Sequence, residues 1–471
     1  MAITISGKGI QVKQYRGKEV LHKIPSFLRG DVVVPLQVTH IQITSFVGCS
    51  GITSVTLQDK VKEIKAGAFK HCTNLEKILV TRDNKHFEND PKGVLFTKGR
   101  DWLVCAPAKL NGLYVVPNGV KHIENYAFKD CADITTLMLA QSVTSINRGA
   151  FENCTGLLHM LIPKNVTKIE AGAFAGCTQL CGVTVASDNA NYVTDRDGVL
   201  FNKDKTELLY VPATLNGQEN TKDGRYVVPE GVTHIAGKAF SKCLGIREIL
   251  LSDTLQSVAK DAFEGCDHLT TVVAPPGVAV WQALKDCKNL KNRYIRDMRG
   301  ILYDLDTGKI KTVLGNIVTA HILNGVREIA PKTFANRKLL QKVDIPETLT
   351  DIGSCAFAGC ENLTAFSVAP GNPVMHTDER GVLFQKYKDN VVLVRAPVDL
   401  CGNYRIPDGV THICSRAFEG CSQLEELIVP DSVWVIQDEA IMDCPNLRRI
   451  SFLGTCCLHT GREIVNCPQL S

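Results

Sequence analysis

Nineteen cysteines and twelve histidines are the residues of this chain with the most chemistry to offer. As thiolates, cysteines attack carbonyl carbons or bind soft metals, and histidines move protons or complete a zinc site. Each role makes a demand on spacing. Structural zinc draws on paired CxxC-like elements, and the chain has none. Cys177 and Cys181 are separated by three residues, "HICSRAFEGC" (412–421) holds His412, Cys414 and Cys421, and Cys456 and Cys457 are adjacent. There is no GxSxG, no HExxH and no Gly-rich phosphate loop. A cysteine-dependent enzyme needs one thiol set apart by its surroundings, and Cys456 or Cys457 would be the candidate. The histidines His40, His122, His234 and His412 recur in "VTHI"-like segments. Equivalent places carry Glu63, Ser145, Lys168 and Asp351, so the position reads as a solvated strand face. The expectation is a non-enzyme with no metal and no cofactor.

Most of the cysteines obey a different rule. With Phe151 as position zero, apolar residues or cysteine fall at Cys154, Leu157, Met160, Ile162, Val166 and Ile169, and Phe174 begins the next unit 23 residues on. The lead residues are Phe46, Phe69, Phe128, Phe151, Phe174, Phe240, Phe263, Leu284, Phe334, Phe357, Phe418, Ile441 and Ile464. Twelve of the thirteen are followed at +3 by cysteine, among them Cys49, Cys72, Cys131, Cys154, Cys177, Cys243, Cys266, Cys360, Cys421 and Cys444; the copy at Phe334 has Arg337. A pattern held at so many offsets is the mark of a solenoid, in which no unit buries its apolar side alone.

The elements follow from the offsets. Positions +6, +9 and +11 read LxxLxL, whose end alternates in and out as a short strand does; such strands stack as a parallel sheet. The +15/+18 pair forms a second extended run, and "AFxxC" suits a tight helical turn with Phe and Cys on one face. Cysteine there is a small apolar side chain with a weak S–H donor, so the thiols form a reduced, buried ladder. Side chains standing in register on parallel strands are poorly placed for disulfides.

Four longer gaps carry "GVLFTKGRDWLVCAP" (93–107), "GVLFNKDKTELLYVP" (198–212), "GILYDLDTGKIKTVL" (300–314) and "GVLFQKYKDNVVLVRAP" (381–397), each a hairpin pattern. The expected organisation is an N-terminal cap over residues 1–40 and a solenoid over 41–471, with inserts near 84–118, 188–230, 293–325 and 371–408. Trp102, Trp281 and Trp434 read as cover for a hairpin or coil edge. The formal charge of +4 comes from 53 basic and 49 acidic residues without a dense basic block, which argues against nucleic acid. No apolar run approaches the roughly 18–20 residues that span a bilayer. The N-terminus has no apolar signal core. With a thiol-filled interior, a cytoplasmic monomer is expected, or a surface or secreted protein if a leader was trimmed.

The unit "SVTSINRGAFENCTGLLHMLIP", with the insert "DGVLFNKDKTELLYVP" and the return "YVVPEGVTHI", resembles the BspA-type leucine-rich repeat family over roughly residues 38–471. The resemblance implies a leucine-rich-repeat right-handed superhelix, β-rich with parallel strand ladders, short helical turns and four hairpin insertions. It also implies roles in protein binding and surface adhesion. Family members commonly carry export signals and few cysteines, and this chain departs on both.

What remains for function is a surface. The +10 residue of each strand points away from the core. Leu79, Met138 and Leu161 hold that place in early coils; Thr184, Leu250, Val273, Asp344, Ser367, Ile428 and Ser451 hold it later. A run of large apolar residues on an outward face is a site for a protein partner. The reading is an interaction scaffold whose partner is a protein of unknown identity, with a cell-surface adhesin for host protein or glycan as the alternative.

Overall fold

Each 23-residue unit closes into one coil of a β-solenoid, because its three apolar runs need three flat stretches facing a common interior. The structure, a computed structural model, describes residues 3–5, 9–215, 224–297, 300–454 and 462–470; Cys456 and Cys457 lie outside these. The chain divides into two units, Met1–Lys291 and Asn292–Ser471.

In the first unit the LxxLxL segments form parallel ladders. Gly30–Val33, Ile52–Leu57 and Lys77–Val80 make one; Gly112–Val115, Ile134–Met138, His159–Ile162 and Val183–Val185 make another. Arg225–Val227, Glu248–Leu250 and Thr271–Ala274 continue the pattern. A second ladder of two-residue strands runs through His122–Ile123, Ser145–Ile146 and Lys168–Ile169. Between the ladders the lead rings stack: Phe128 on Phe151 at 5.5 Å and Phe151 on Phe174 at 5.4 Å between centroids. The second unit repeats this with Thr319–His321, Lys342–Ile345 and Ala365–Val368, then Cys401–Arg405, Gln423–Val429 and Arg449–Phe452.

The "AFxxC" segments are not helical, which corrects the expectation of short helical turns. Each is a single turn closed by an i to i+3 bond, as from Cys154 N–H to Phe151 O at 3.1 Å. The residue two beyond the lead is left-handed in twelve of the thirteen copies, with φ of 76° at Gly48, 60° at His71 and 61° at Asn153. A left-handed residue cannot propagate a right-handed helix. The left-handed residue's own N–H donates to the following coil, as Asn153 N–H does to Ala175 O at 2.8 Å. The exception, Asp286, follows the 3-10 helix Val280–Gln282.

The inserts extend the coils. In the first unit, Phe87–Asn89, Leu95–Thr97 and Trp102–Cys105 form an antiparallel sheet whose last strand joins the second ladder, Trp102 opposite His122. Residues expected to cap the solenoid are built the same way: Gln11–Tyr15 and Lys18–Lys23 form a hairpin, and Val20 lies parallel to His40. A buried asparagine starts the insert. Asn189 donates its amide to Pro163 O at 2.8 Å and Val166 O at 3.1 Å, and its Oδ1 accepts from Asn191 and Tyr192 N–H at 2.8 and 3.0 Å. Asn84 and Asn372 repeat all four bonds. The glycine of "GVLF" follows: Gly198 has φ 74°, and a Cβ there would sit 2.6 Å from Gly182 Cα. Only glycine fits.

Phe151→Ala removes a ring stacked on both sides and is expected to cost about 3–5 kcal/mol, read as a lowered urea midpoint of the full chain. Asn189→Ala orphans buried groups on two coils and should cost roughly 2 kcal/mol or more. The exposed Asn165→Ala, which loses one bond to Gln141 O, should cost well under half of that.

Candidate partner-binding face and the thiol ladder

The cysteine ladder is a hydrogen-bonding device. Each lead carbonyl carries two lone pairs. Phe128 O accepts the N–H of Cys131 at 3.1 Å and the Sγ–H of Cys154, one coil on, also at 3.1 Å. Phe46, Phe151 and Phe240 are served by Cys72, Cys177 and Cys266 at 3.0, 3.1 and 2.9 Å. In the second unit Cys360 reaches Phe334 O at 3.1 Å and Cys444 reaches Phe418 O at 3.0 Å. Cys49, Cys131, Cys243 and Cys421 use the carbonyls of Ile24, Pro107, Val211 and Pro397 at 3.4–3.5 Å. Where the ladder lacks cysteine, the guanidinium of Arg337 donates to Val313 O instead. The position demands a donor, which is why neither alanine nor valine appears there.

All ten of these cysteines are buried and free. Burial drives three of these thiols, among others, toward the neutral form: Cys131 and Cys154 are pushed well above the usual range, and Cys360 up to about 11. Neutral buried thiols are poor nucleophiles. Among the described residues no group of three or more His, Cys, Asp or Glu side chains is placed to hold a metal ion. No described helix is long and apolar enough to cross a membrane.

On the outward face of the first unit the +10 column is uncharged and largely apolar. Leu79, Met138 and Leu161 are 40%, 54% and 51% exposed. Met138 lies opposite Val115, and Leu161 opposite Thr184, giving one column across four coils. Leu113, Thr136 and His159 form the neighbouring exposed column. None of these seven is a permanently charged residue. Val33, Leu113, Val115 and Val227 are also exposed, and counting from a lead phenylalanine misses them because they belong to hairpin coils, which have no lead. Their signal is the alternation in "VVVP", "LYVVP" and "RYVVP", where the residue before the last valine faces out. Leu250 and Val273 depart from expectation: both are buried, at 9% and 7% exposure, and the apolar column ends with Val227.

The second unit carries the same column with different chemistry. His321, Asp344 and Ser367 stand in register; Asp344 pairs with His321 and with Lys342, the latter at 2.9 Å. Arg405, Ile428 and Ser451 follow. This column is polar and charged where the +10 column of the first unit is not.

The "VTHI" histidines are not uniformly solvated, which corrects that reading. His40 is 5% exposed, 3.3 Å from Glu63, and shares a 2.7 Å hydrogen bond with Thr39; burial, reinforced by Lys18, lowers its pKa. His122 packs on Trp102 at 4.4 Å, and His412 on Trp434 at 4.6 Å. The covering ring comes from a neighbouring coil, so no count within one repeat reveals it. His234 alone of the four is exposed.

Stacked parallel strands, an aromatic spine and repeated LxxLxL faces define a leucine-rich-repeat solenoid. The chain belongs to the BspA-type leucine-rich repeat family: it matches the "BspA type Leucine rich repeat region" in six copies, over residues 29–90, 110–215, 219–301, 314–376 and 401–470. Among solved structures it is similar to a leucine rich cell surface protein from Faecalibacterium prausnitzii, at 20% identity over 78% of this chain and 95% of that one, with a TM-score of 0.38. It is also similar to the pneumococcal vaccine antigen PcpA, at 13% identity over 99% and 98%, TM-score 0.35. A leucine-rich repeat protein from Bacteroides ovatus aligns at 18% identity over 94% and 92%, TM-score 0.26. No curated protein matches the chain.

The thiol ladder makes a pH prediction. A thiol whose folded pKa is raised contributes stability that is whole below its unfolded pKa, near 9, and is lost as pH rises toward the folded value, about 11 for Cys360. The reduced protein should therefore weaken between pH 9 and 11. Each such thiol adds a slope of about 1.4 kcal/mol per pH unit. Urea unfolding of Cys360→Val against the parent chain isolates one thiol, and the variant should lose about that much less stability per pH unit over the window. Equal slopes would mean Cys360 is not held neutral.

Proposed function

We propose that this protein is a non-catalytic scaffold that binds a protein partner through the outward strand face of its first unit. The observation that carries the reading is the uncharged column Val115, Met138, Leu161 and Thr184, with Leu113 beside it. A contiguous apolar patch left to water on a folded chain is the usual mark of a recognition site. Repeat geometry supplies many small contacts over an extended area, which suits a macromolecule better than a small substrate. The charged column of the second unit would add orientation more than affinity. Neutral, hydrogen-bonded thiols suit a reducing compartment, and we place the protein in the cytoplasm on that ground.

Leu161→Asp puts a carboxylate in the middle of the column without entering the core. The variant should melt within about 1 °C of the parent and retain less than a tenth of the partner in pull-downs from the native cell, run in parallel on lysate and extracellular fraction. Capture undiminished by Leu161→Asp removes this face from the function. A partner found only in the extracellular fraction overturns the cytoplasmic placement.

A further inference from the structure

The hairpin coils are short of one edge. In a standard pair of coils the lead N–H donates to an alanine carbonyl of the next coil, as Phe128 does to Ala150 at 2.7 Å and Phe334 to Ala356 at 2.9 Å. A hairpin coil has no AFxxC turn, so the standard coil before it faces nothing in register. The N–H groups of Phe69 in the first unit and Phe357 in the second have no acceptor among the described residues. Two residues further on, a carboxylate reaches across from the coil beyond: His71 N–H donates to Asp130 at 3.2 Å, and Gly359 N–H to Glu419 at 2.9 Å. At each place a cavity of about 20 Å³ remains, the size of one water or one monatomic ion.

The walls correspond. Phe69, Cys105 and Tyr126 line the first cavity; Phe357, Arg395 and Arg416 line the second. Cys105 and Arg395 each precede an Ala-Pro pair, and Tyr126 and Arg416 each stand two residues before a lead phenylalanine. The second cavity differs in what it offers. Arg395 is 3% exposed, and its Nε–H is buried with no acceptor. Its other nitrogens are used: one donates to Arg416 O and, at 3.1 Å, to Glu419 Oε2; the other donates to Glu419 O at 3.1 Å. Among the described residues, no buried side-chain oxygen of this lining lacks a partner. The unsatisfied groups are donors. A water accepts from both but must place two protons of its own; an anion has none to place.

We infer that the cavity beside Phe357 is a halide site, in which a chloride ion accepts from the Phe357 N–H and the Arg395 Nε–H. Charge sets its strength. Arg395 and Arg416 are balanced by Glu419, at 3.1 and 2.8 Å, and Arg416 also pairs with Glu439 at 2.8 Å, so binding is millimolar. The cavity beside Phe69 has cysteine where the guanidinium stands, and Lys70 is drawn 3.2 Å over the Tyr126 ring. It takes water and serves as the internal comparison.

The test is a bromide soak of crystals of the full chain, with data collected at the bromine edge. An anomalous peak is expected about 3.3 Å from Phe357 N and Arg395 Nε, with none beside Phe69. In solution, sodium chloride should raise the melting temperature by about 1 °C over sodium gluconate at equal ionic strength. Arg395→Lys, which keeps the charge and removes the Nε–H, should abolish that increment. If this variant does not fold, the bromide map of the parent chain decides alone. Water without an anomalous peak at Phe357 overturns the proposal, as does a peak of equal height beside Phe69.

Discussion

The solenoid turns on a carbonyl oxygen with two clients. Every lead phenylalanine that opens a standard coil has its oxygen buried in the stack, where an unmet lone pair is costly. Its own coil supplies one donor through the +3 backbone N–H, and where a standard coil follows, that coil supplies the other through the +3 thiol, as at Phe128 with Cys131 and Cys154. One side chain therefore serves packing and polar satisfaction together. Alanine would fill less space and donate nothing. The guanidinium of Arg337 shows that another donor is accepted, and a thiol does the same work at the smallest polar cost.

Because the same carbonyl ties a coil to its successor, each insertion has to solve a local problem. Some hairpin coils set a tyrosine over the next lead ring, as where Tyr114 packs against Phe128 at 5.9 Å and Tyr404 against Phe418 at 6.2 Å. In these two coils an aspartate takes the phenol: Tyr114 donates to Asp90 at 2.7 Å and Tyr404 to Asp378 at 2.6 Å. The asparagines Asn84, Asn189 and Asn372 fix the start of the excursion with four bonds each. At the turn edge the substitution is incomplete, and there carboxylates and cationic side chains bridge the gap.

The outward faces answer to no such constraint. A strand residue pointing to water does not touch the stacking apparatus, so leucine, aspartate and serine are interchangeable at +10 as far as the fold is concerned. That freedom is why the first unit can carry an apolar column and the second a charged one on the same backbone. It is also why Leu79, Met138 and Leu161 stand out as a choice of surface.

Periodicity by itself determined the coil, the inward set of residues and the rung on which each thiol lies, because every coil imposes the same demand at the same offset. It also placed the +10 column, except where Leu250 and Val273 are covered. Three things waited for the tertiary structure. Left-handed residues two beyond the lead turn the expected helical segment into a string of single turns, a backbone choice open to Gly, Asn, Asp, His and Lys alike. His40, His122 and His412 owe their cover to Glu63, Trp102 and Trp434 on other coils. The gaps beside Phe69 and Phe357 exist because something is missing from the next coil. A one-dimensional pattern records what each coil contributes; what a coil is given, or denied, by its neighbour depends on how the coils stack.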